Sequence, residues 1–218
     1  RTVSPATMRI GMLNCCTIPR KGREPIVLDF ATSQVALGKV RVSYNKLEQM
    51  EPGYLIDSNG NPTTDPGVMW GDGPFGAILP FGQHKGGGLA VICDLLAGAL
   101  TGGLAHSPKT IKPDGHDIIN NMLSVLIDPA RLGGHDVWQQ DTDDFIAWVK
   151  SSRPQPGVAE VLVAGEPERA RRADRLANGI PVDQTTWQQR VGTARLVGLS
   201  DADVTAISGV ASRAVEVR

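Results

Sequence analysis

Residues Phe81–Gly103 (FGQHKGGGLAVICDLLAGALTGG) constrain the fold more than any other stretch. A His84-Lys85 pair leads into Gly86, Gly87 and Gly88. The twelve residues from Leu89 to Leu100 are then apolar except for Asp94, and Gly102-Gly103 closes the run. Glycines ahead of an apolar run let backbone approach a neighbour and leave N–H groups open at a helix start. Glycine after the run is a helix stop. A helix with one polar residue has no water-facing side, so the pattern predicts a helix in the protein interior. Its tip, preceded by Lys85, reads either as an anion site or as the close-packed start of a structural helix. The offset third glycine of a dinucleotide fingerprint is missing, and no Lys-Ser/Thr pair ends a P-loop.

Flanking this stretch, 218 residues suffice for one domain, or one domain with a helical appendage. With 22 basic and 23 acidic residues the net charge is -1, which gives no electrostatic reason to invoke nucleic acid or an anionic membrane. The longest apolar run is too short to span a bilayer. Cys15, Cys16 and Cys93 form no CxxC pair and leave an odd count, which points to a reducing compartment, the cytoplasm.

Residues Cys15–Ile18 suggest an edge strand. Ile26–Phe30 (IVLDF) suits a strand buried on both faces, with Asp29 near its end. Ser33 is placed to cap a helix, and apolar residues from Val35 to Leu47 at helical spacing predict one over 34–49. Strand, short turn and helix together present backbone N–H groups to a ligand at the strand's C-terminal end. Residues 51–66 are turn material around Asn59-Gly60, and 67–80 look like a surface loop. A strand is expected over Ile118–Ile127. Asn120 and Asn121 run against strand propensity there, so they are either solvent-facing or one of them is a ligand donor. Val137–Lys150 fits an amphipathic helix and Val158–Val163 a short last strand. Gly165-Glu166-Pro167-Glu168 opens a charged helix, its Pro and Glu residues suited to a first turn and its arginines to a solvated face. Further helices are expected over 184–197, after Asp183, and beyond the capping Ser200.

Much chemistry is absent. The four histidines, 84, 106, 116 and 135, stand too far apart for a metal pair on one helix. Cys93, inside the apolar helix, is expected to be inert. Asp141, Asp143 and Asp144 lack the glycine and distal glutamate of a calcium loop. No GxSxG elbow is present. Residue types alone indicate an α/β protein with a candidate nucleotide pocket near Asp29, His84 and Gly86.

The ordered motifs IVLDFATS (26–33), Gly38-Lys39, GNPTTDP (60–66), PFG (80–82), HKGGGLA (84–90), LLAGALTGG (95–103), GEPERARRADRLANGIPVD (165–183) and Trp187 resemble the type-2 malate/L-lactate dehydrogenase family. The likeness runs over about residues 9–199 and is nearest the bacterial hydroxycarboxylate dehydrogenase branch. It implies an α/β fold that is not Rossmann: a mixed-sheet cofactor-binding fold of the malate/L-lactate (sulfolactate) dehydrogenase type, with C-terminal helices. It further implies a homodimer that uses NAD or NADP to interconvert 2-oxo and 2-hydroxy acids. Residues 1–164 would form the NAD(P)-binding core. Residues 165–218 would form a helical segment packed on the family's N-terminal part, which the chain is expected to lack. Carried over by motif, the cofactor positions are Val27, Leu28, Asp29, Phe30 and Ala31, then His84, Asn120, and Gly165, Glu166, Pro167 and Glu168. The family has Gly-Thr-Asn-Pro where this chain has Gly11-Met12-Leu13-Asn14, and commonly Tyr at the position of Gly87. Its acid/base histidine belongs to an Asp-Ser-His-Gly motif that this chain does not contain, so no catalytic residue is assigned and the chain alone is expected to be inactive. The alternatives are a non-catalytic nucleotide-binding or assembly module and, more remotely, a phosphate-binding transferase.

Overall fold

The computed structural model describes residues 13–71, 73–107, 120–132 and 135–210. In chain order the elements are β1 (Leu13–Arg20), β2 (Arg23–Ala31), α1 (Leu37–Lys46), β3 (Leu55–Ile56), β4 (Pro62–Thr63), β5 (Ala77–Ile78), α2 (His84–Asp94), α3 (His135–Lys150), α4 (Glu166–Asn178), α5 (Gln184–Leu196) and α6 (Asp201–Ser208). A 3₁₀ turn spans Pro66–Met69, and a π-helical segment, Leu95–Leu100, continues α2. All described strand ladders are antiparallel, so none of them is a Rossmann parallel ladder. The chain divides into two compact units. The described residues of the first are 33–71, 73–87 and 179–210, and those of the second are 13–32, 88–107, 120–132 and 135–178.

The first unit is built on a three-stranded sheet with β3 in the middle, pairing Leu55 with both Thr63 and Ile78. Val35, Val40, Met50, Leu55, Met69 and Ile78 form its core, with Tyr54, Val68 and Trp70 packed against them. The expected turn at Asn59-Gly60 is there. Gly60 has a φ of 86°, and the Asp57 carboxylate accepts N–H bonds from Asn59 and Asn61 at 2.8 and 2.9 Å. These bonds, with that from Asn61 foremost, hold the Asp57 carboxyl below its ordinary range.

Two expectations fail in this unit. Residues 51–80 are not simply turn and surface loop, since they carry three short strands and supply three of the six residues of the core cluster. Strands of two residues are too short to show periodicity. The helix predicted over 34–49 is shorter, at 37–46, and Ser33 does not cap it. Ser33 instead bridges Pro80, while the Gln34 N–H bonds the Leu79 carbonyl at 2.7 Å, so the chain is still sheet-like there. The C-terminal helices follow expectation. Asp183 caps α5 by accepting from the Thr186 N–H, and Ser200 with Asp203 forms a capping box on α6.

In the second unit β1 and β2 form a hairpin with Thr17 opposite Val27 and Cys15 opposite Asp29. Arg20 holds it to α3 through Asp143 at 2.6 Å, joined by Arg23 at 3.4 Å and by a bond from the Lys21 N–H to Gln139 at 2.8 Å. Asp143 is thus an anchor. No group of three or more potential metal-ligating side chains occurs among the described residues.

Here the burial expectations are corrected. β2 is not buried on both faces: Leu28 and Asp29 are exposed, because the hairpin has no third strand and no covering layer among the described residues. The helix of the organising stretch forms and stops where predicted, but it is not interior. Val91, Ile92, Leu95, Leu96 and Leu100 are exposed, since no described element covers them. The strand expected over 118–127 is absent at 120–127. These residues have no ladder partner among the described residues, and 118–119 lie outside them. Val158–Val163 likewise forms no strand. No described helix is long and apolar enough to cross a membrane.

Candidate functional site

The sequence places the candidate site at the C-terminal half of β2, the tip of α2 and the start of α4. In the structure two of these meet. The Val27 N–H donates to the Ala164 carbonyl at 3.3 Å, on the edge of β2 away from β1. Gly165 is buried there with a φ of 92°, and a Cβ would stand 3.2 Å from the Val27 nitrogen and 2.7 Å from the Arg169 guanidinium. Only glycine combines that left-handed backbone with that close approach. Arg169 reaches back from α4 to the Pro25 carbonyl at 3.1 Å. The candidate positions Val27, Leu28, Asp29, Phe30 and Ala31 on β2, Gly165 just before α4, and Glu166, Pro167 and Glu168 in its first turn therefore belong to one construction.

The carboxylates of this construction differ. The Asp29 side chain is exposed and has no hydrogen bond or ion pair with a described residue. Glu168, also exposed, lies in the first turn of α4, as predicted. Glu166 is already committed. It accepts two bonds from the Lys150 ammonium at 2.8 and 2.9 Å and one from the Val163 N–H at 2.9 Å. Lys150 first and the Val163 N–H second hold the Glu166 carboxyl below its ordinary range, and the same pairing raises Lys150. Any contact this segment makes with a cofactor through Glu166 falls to its backbone.

His84 belongs to the first unit, at the start of α2. It is exposed, and its ring has no partner among the described residues. Gly82 and Gln83 both adopt left-handed backbone, φ 53° and 57°, which turns the chain into the helix. The expected cradle of free N–H groups is only partly there. The N–H groups of Lys85, Gly86 and Gly87 already bond the carbonyls of Gly82, Phe81 and Gln83. A Cβ on Gly87 would stand an ordinary 3.8 Å from Pro80 and one on Gly88 would meet nothing within 4 Å, so the chain's own packing does not require Gly88. Asn120 is exposed in the second unit.

The most constrained pair was not visible beforehand. The Asp94 carboxylate accepts from the His106 ring Nδ1 at 2.8 Å and from the His106 backbone N–H at 3.0 Å. One signal could have found it. A single carboxylate inside a twelve-residue apolar run needs a partner, and the histidine twelve residues on supplies it. Cys93 beside it donates to Asn14 at 3.0 Å. His116 lies outside the described residues.

The malate/L-lactate dehydrogenase family profile matches residues 14–189. Hydroxycarboxylate dehydrogenase B of Escherichia coli (strain K12) is 41% identical over 187 residues, covering 86% of this chain and 51% of that protein. The L-lactate dehydrogenase of Cupriavidus necator is 41% identical over 167 residues, 77% of this chain and 47% of that one. A solved E. coli structure ascribed to a malate/lactate dehydrogenase superposes with a TM-score of 0.79 at 38% identity, over 89% of this chain and 54% of that chain. The sulfolactate dehydrogenase of Methanocaldococcus jannaschii superposes with a TM-score of 0.61 at 26% identity, over 85% and 52%. The chain thus spans about half the length of the curated relatives it matches.

Proposed function

This chain belongs to the malate/L-lactate dehydrogenase family, and from that premise we propose that it is the nucleotide-binding part of an oxidoreductase. The reaction is hydride transfer between NADH or NADPH and a 2-oxo acid, giving the 2-hydroxy acid. The observation that carries the reading is the seating of Gly165 against Val27, which unites two of the segments matched to cofactor positions.

The nicotinamide supplies the hydride when bound. In this reading β2 and the start of α4 present backbone and the Asp29 carboxylate to the nucleotide. Carboxylates at strand ends serve ribose hydroxyls in other nucleotide folds. His84, from its exposed tip, donates to the nucleotide, and Asn120 adds an amide. Leu28, Phe30 and Ala31 line the strand side, and Gly165, Pro167 and Glu168 the helix side. Reduction of a carbonyl also needs a proton donor to the forming alkoxide and a cation for the substrate carboxylate. No described residue is assigned either role.

The remaining family expectations are proposals as well. Residues 1–164 are the NAD(P)-binding core. Residues 165–218 pack on the family's N-terminal portion, a reading supported by exposed Leu176, Leu196, Val197 and Ile207. The protein works as a cytoplasmic homodimer on a small 2-oxo acid, without nucleic acid or membrane. The test is loss of NADH or NADPH absorbance with pyruvate, oxaloacetate and aryl pyruvates, alongside nucleotide titration. Nucleotide binding by the 218-residue chain, with turnover only when the family's N-terminal portion is present, is the expected result. Absence of nucleotide binding sinks the reading. Binding with no turnover of any 2-oxo acid in either form favours a non-catalytic module.

A further inference from the structure

Asp94 and His106 are fastened together in a way that the nucleotide positions alone do not explain. Asp94 stands where α2 passes into the π-helical segment, and short π segments recur at functional positions. Its two oxygens take the His106 ring and the His106 backbone, and the two side chains are only 19% and 11% exposed. The loop between them is drawn tightly to the helix. Gly102, at φ 79°, and Gly103 return N–H bonds to Ala99 and Gly98 in a Schellman closure. Gly98 is buried, and a Cβ on it would stand 2.9 Å from the Leu104 carbonyl oxygen and 3.2 Å from the Ala105 Cα. Leu104 is held at φ 69°, a conformation that costs a branched residue energy and persists only where its surroundings enforce it.

The loop so fixed holds a further segment. The Asn121 amide donates to the Leu104 carbonyl at 3.0 Å, and Gly103 offers the space in which the Asn121 side chain lies. The next residue back along the chain is Asn120, one of the positions matched to the cofactor. The connection therefore runs from Asp94 by hydrogen bond to His106, along the chain to Leu104, by hydrogen bond to Asn121 and along the chain to Asn120, all inside the second unit. Resting on the dehydrogenase reading above, we propose that Asp94 and His106 are positioning residues. They form a clamp that sets the loop on which the Asn120 side of the nucleotide site is hung. The clamp needs a donor at the ring Nδ1 position and no chemistry at Nε2.

That requirement makes it testable. An asparagine amide can occupy the Nδ1 position, so His106→Asn should keep the clamp and His106→Ala should lose it. NADH and NADPH are each titrated by nucleotide fluorescence into the wild-type protein, His106→Ala, His106→Asn, Asn120→Ala and the His106→Ala/Asn120→Ala double variant, with melting temperatures taken in parallel. His106→Ala should weaken nucleotide binding by roughly 2- to 30-fold, the range expected of residues that act through a neighbour. His106→Asn should restore most of the loss. The double variant should bind no worse than Asn120→Ala alone, because the clamp then has nothing left to position. Fully additive losses would overturn the clamp. So would a fall in melting temperature with unchanged affinity, or failure of His106→Asn to rescue. A wild-type protein that binds neither nucleotide would remove the dehydrogenase reading itself, and the clamp with it.

Discussion

Leu55 and Val40 are fully withdrawn from solvent in the first unit, and four further apolar side chains close around them. In the second unit no apolar side chain is buried among the described residues, and Leu126 stands 91% exposed. What orders the second unit is polar: a two-stranded ladder, the Arg20–Asp143 and Lys150–Glu166 pairs, and the Asp94–His106 clamp. The contrast separates two ways of specifying a structure. Apolar burial is the larger source of stability and is indifferent to direction. Hydrogen-bonded pairs contribute less each but fix geometry, and geometry is what a ligand site needs. Most of the positions matched to the cofactor lie in the unit organised in the second way.

The contrast can be broken most directly in the core. Leu55→Ala should cost about 2–5 kcal/mol, and Leu126→Ala should stay within roughly 0.5 kcal/mol, both read from denaturant unfolding. Equal losses would erase the distinction between the units. The next largest effect concerns binding. His84 lies on the first unit and is proposed to contact the cofactor, so His84→Ala should weaken NADH or NADPH binding by about 1–3 kcal/mol without changing the melting temperature. An unaltered dissociation constant would leave nucleotide contacts to the second unit alone.

Gly88, where the second segment of the second unit begins, sharpens the same point. A Cβ there meets no protein atom within 4 Å, so Gly88→Ala should raise helix stability by about 0.5–1 kcal/mol. If cofactor approaches this backbone, Gly88→Val should lower nucleotide affinity while leaving the melting temperature nearly unchanged. Parallel losses of both would mean the glycine serves packing. The smallest effect is electrostatic. The Glu166 carboxyl titrates below its ordinary value of 4.5 when folded, so its contribution is present above that pH and fades as acid carries it through the lowered value. Wild-type protein should therefore melt slightly higher than Glu166→Gln near neutrality, and the gap should close in acid. A gap independent of pH would show that the pair with Lys150 is not its source.

Where local chemistry decides an element, the sequence was enough to find it. Asp183 and Ser200 announce α5 and α6, Gly102 marks the end of the organising helix, and Cys15–Ile18 and Ile26–Phe30 read as strands, although their pairing into a hairpin was not foreseen. Residues 66–80 hid part of the core because Met69 and Ile78 sit in pieces too short for any period and among glycines that suggest a loop. Val125 and Ile127 misled in the opposite sense. They look like strand residues, but a strand needs a ladder partner, and nothing local reveals that none is there among the described residues. The site divided along the same line. Asp29, His84 and Gly165 are proposed for the site through their motifs, whereas the Asp94–His106 pair exists only once Gly98 lets the loop fold back onto the helix.

The β1–β2 hairpin also has a consequence on the clock. A two-stranded ladder is marginal by itself, and this one is held to α3 chiefly at its turn, through Arg20, Lys21 and Arg23. Its other end, from Leu13 opposite Ala31 to Cys16 opposite Leu28, can part without disturbing any buried apolar side chain. Amide hydrogens there should exchange with solvent through small local openings, whereas those of Leu55 and Ile78 must wait for the first unit to come apart. The Asp29 stretch can thus reshape as a ligand arrives by loosening the ladder and the Cys93–Asn14 bond, and a bound nucleotide would register as slowed exchange along that end.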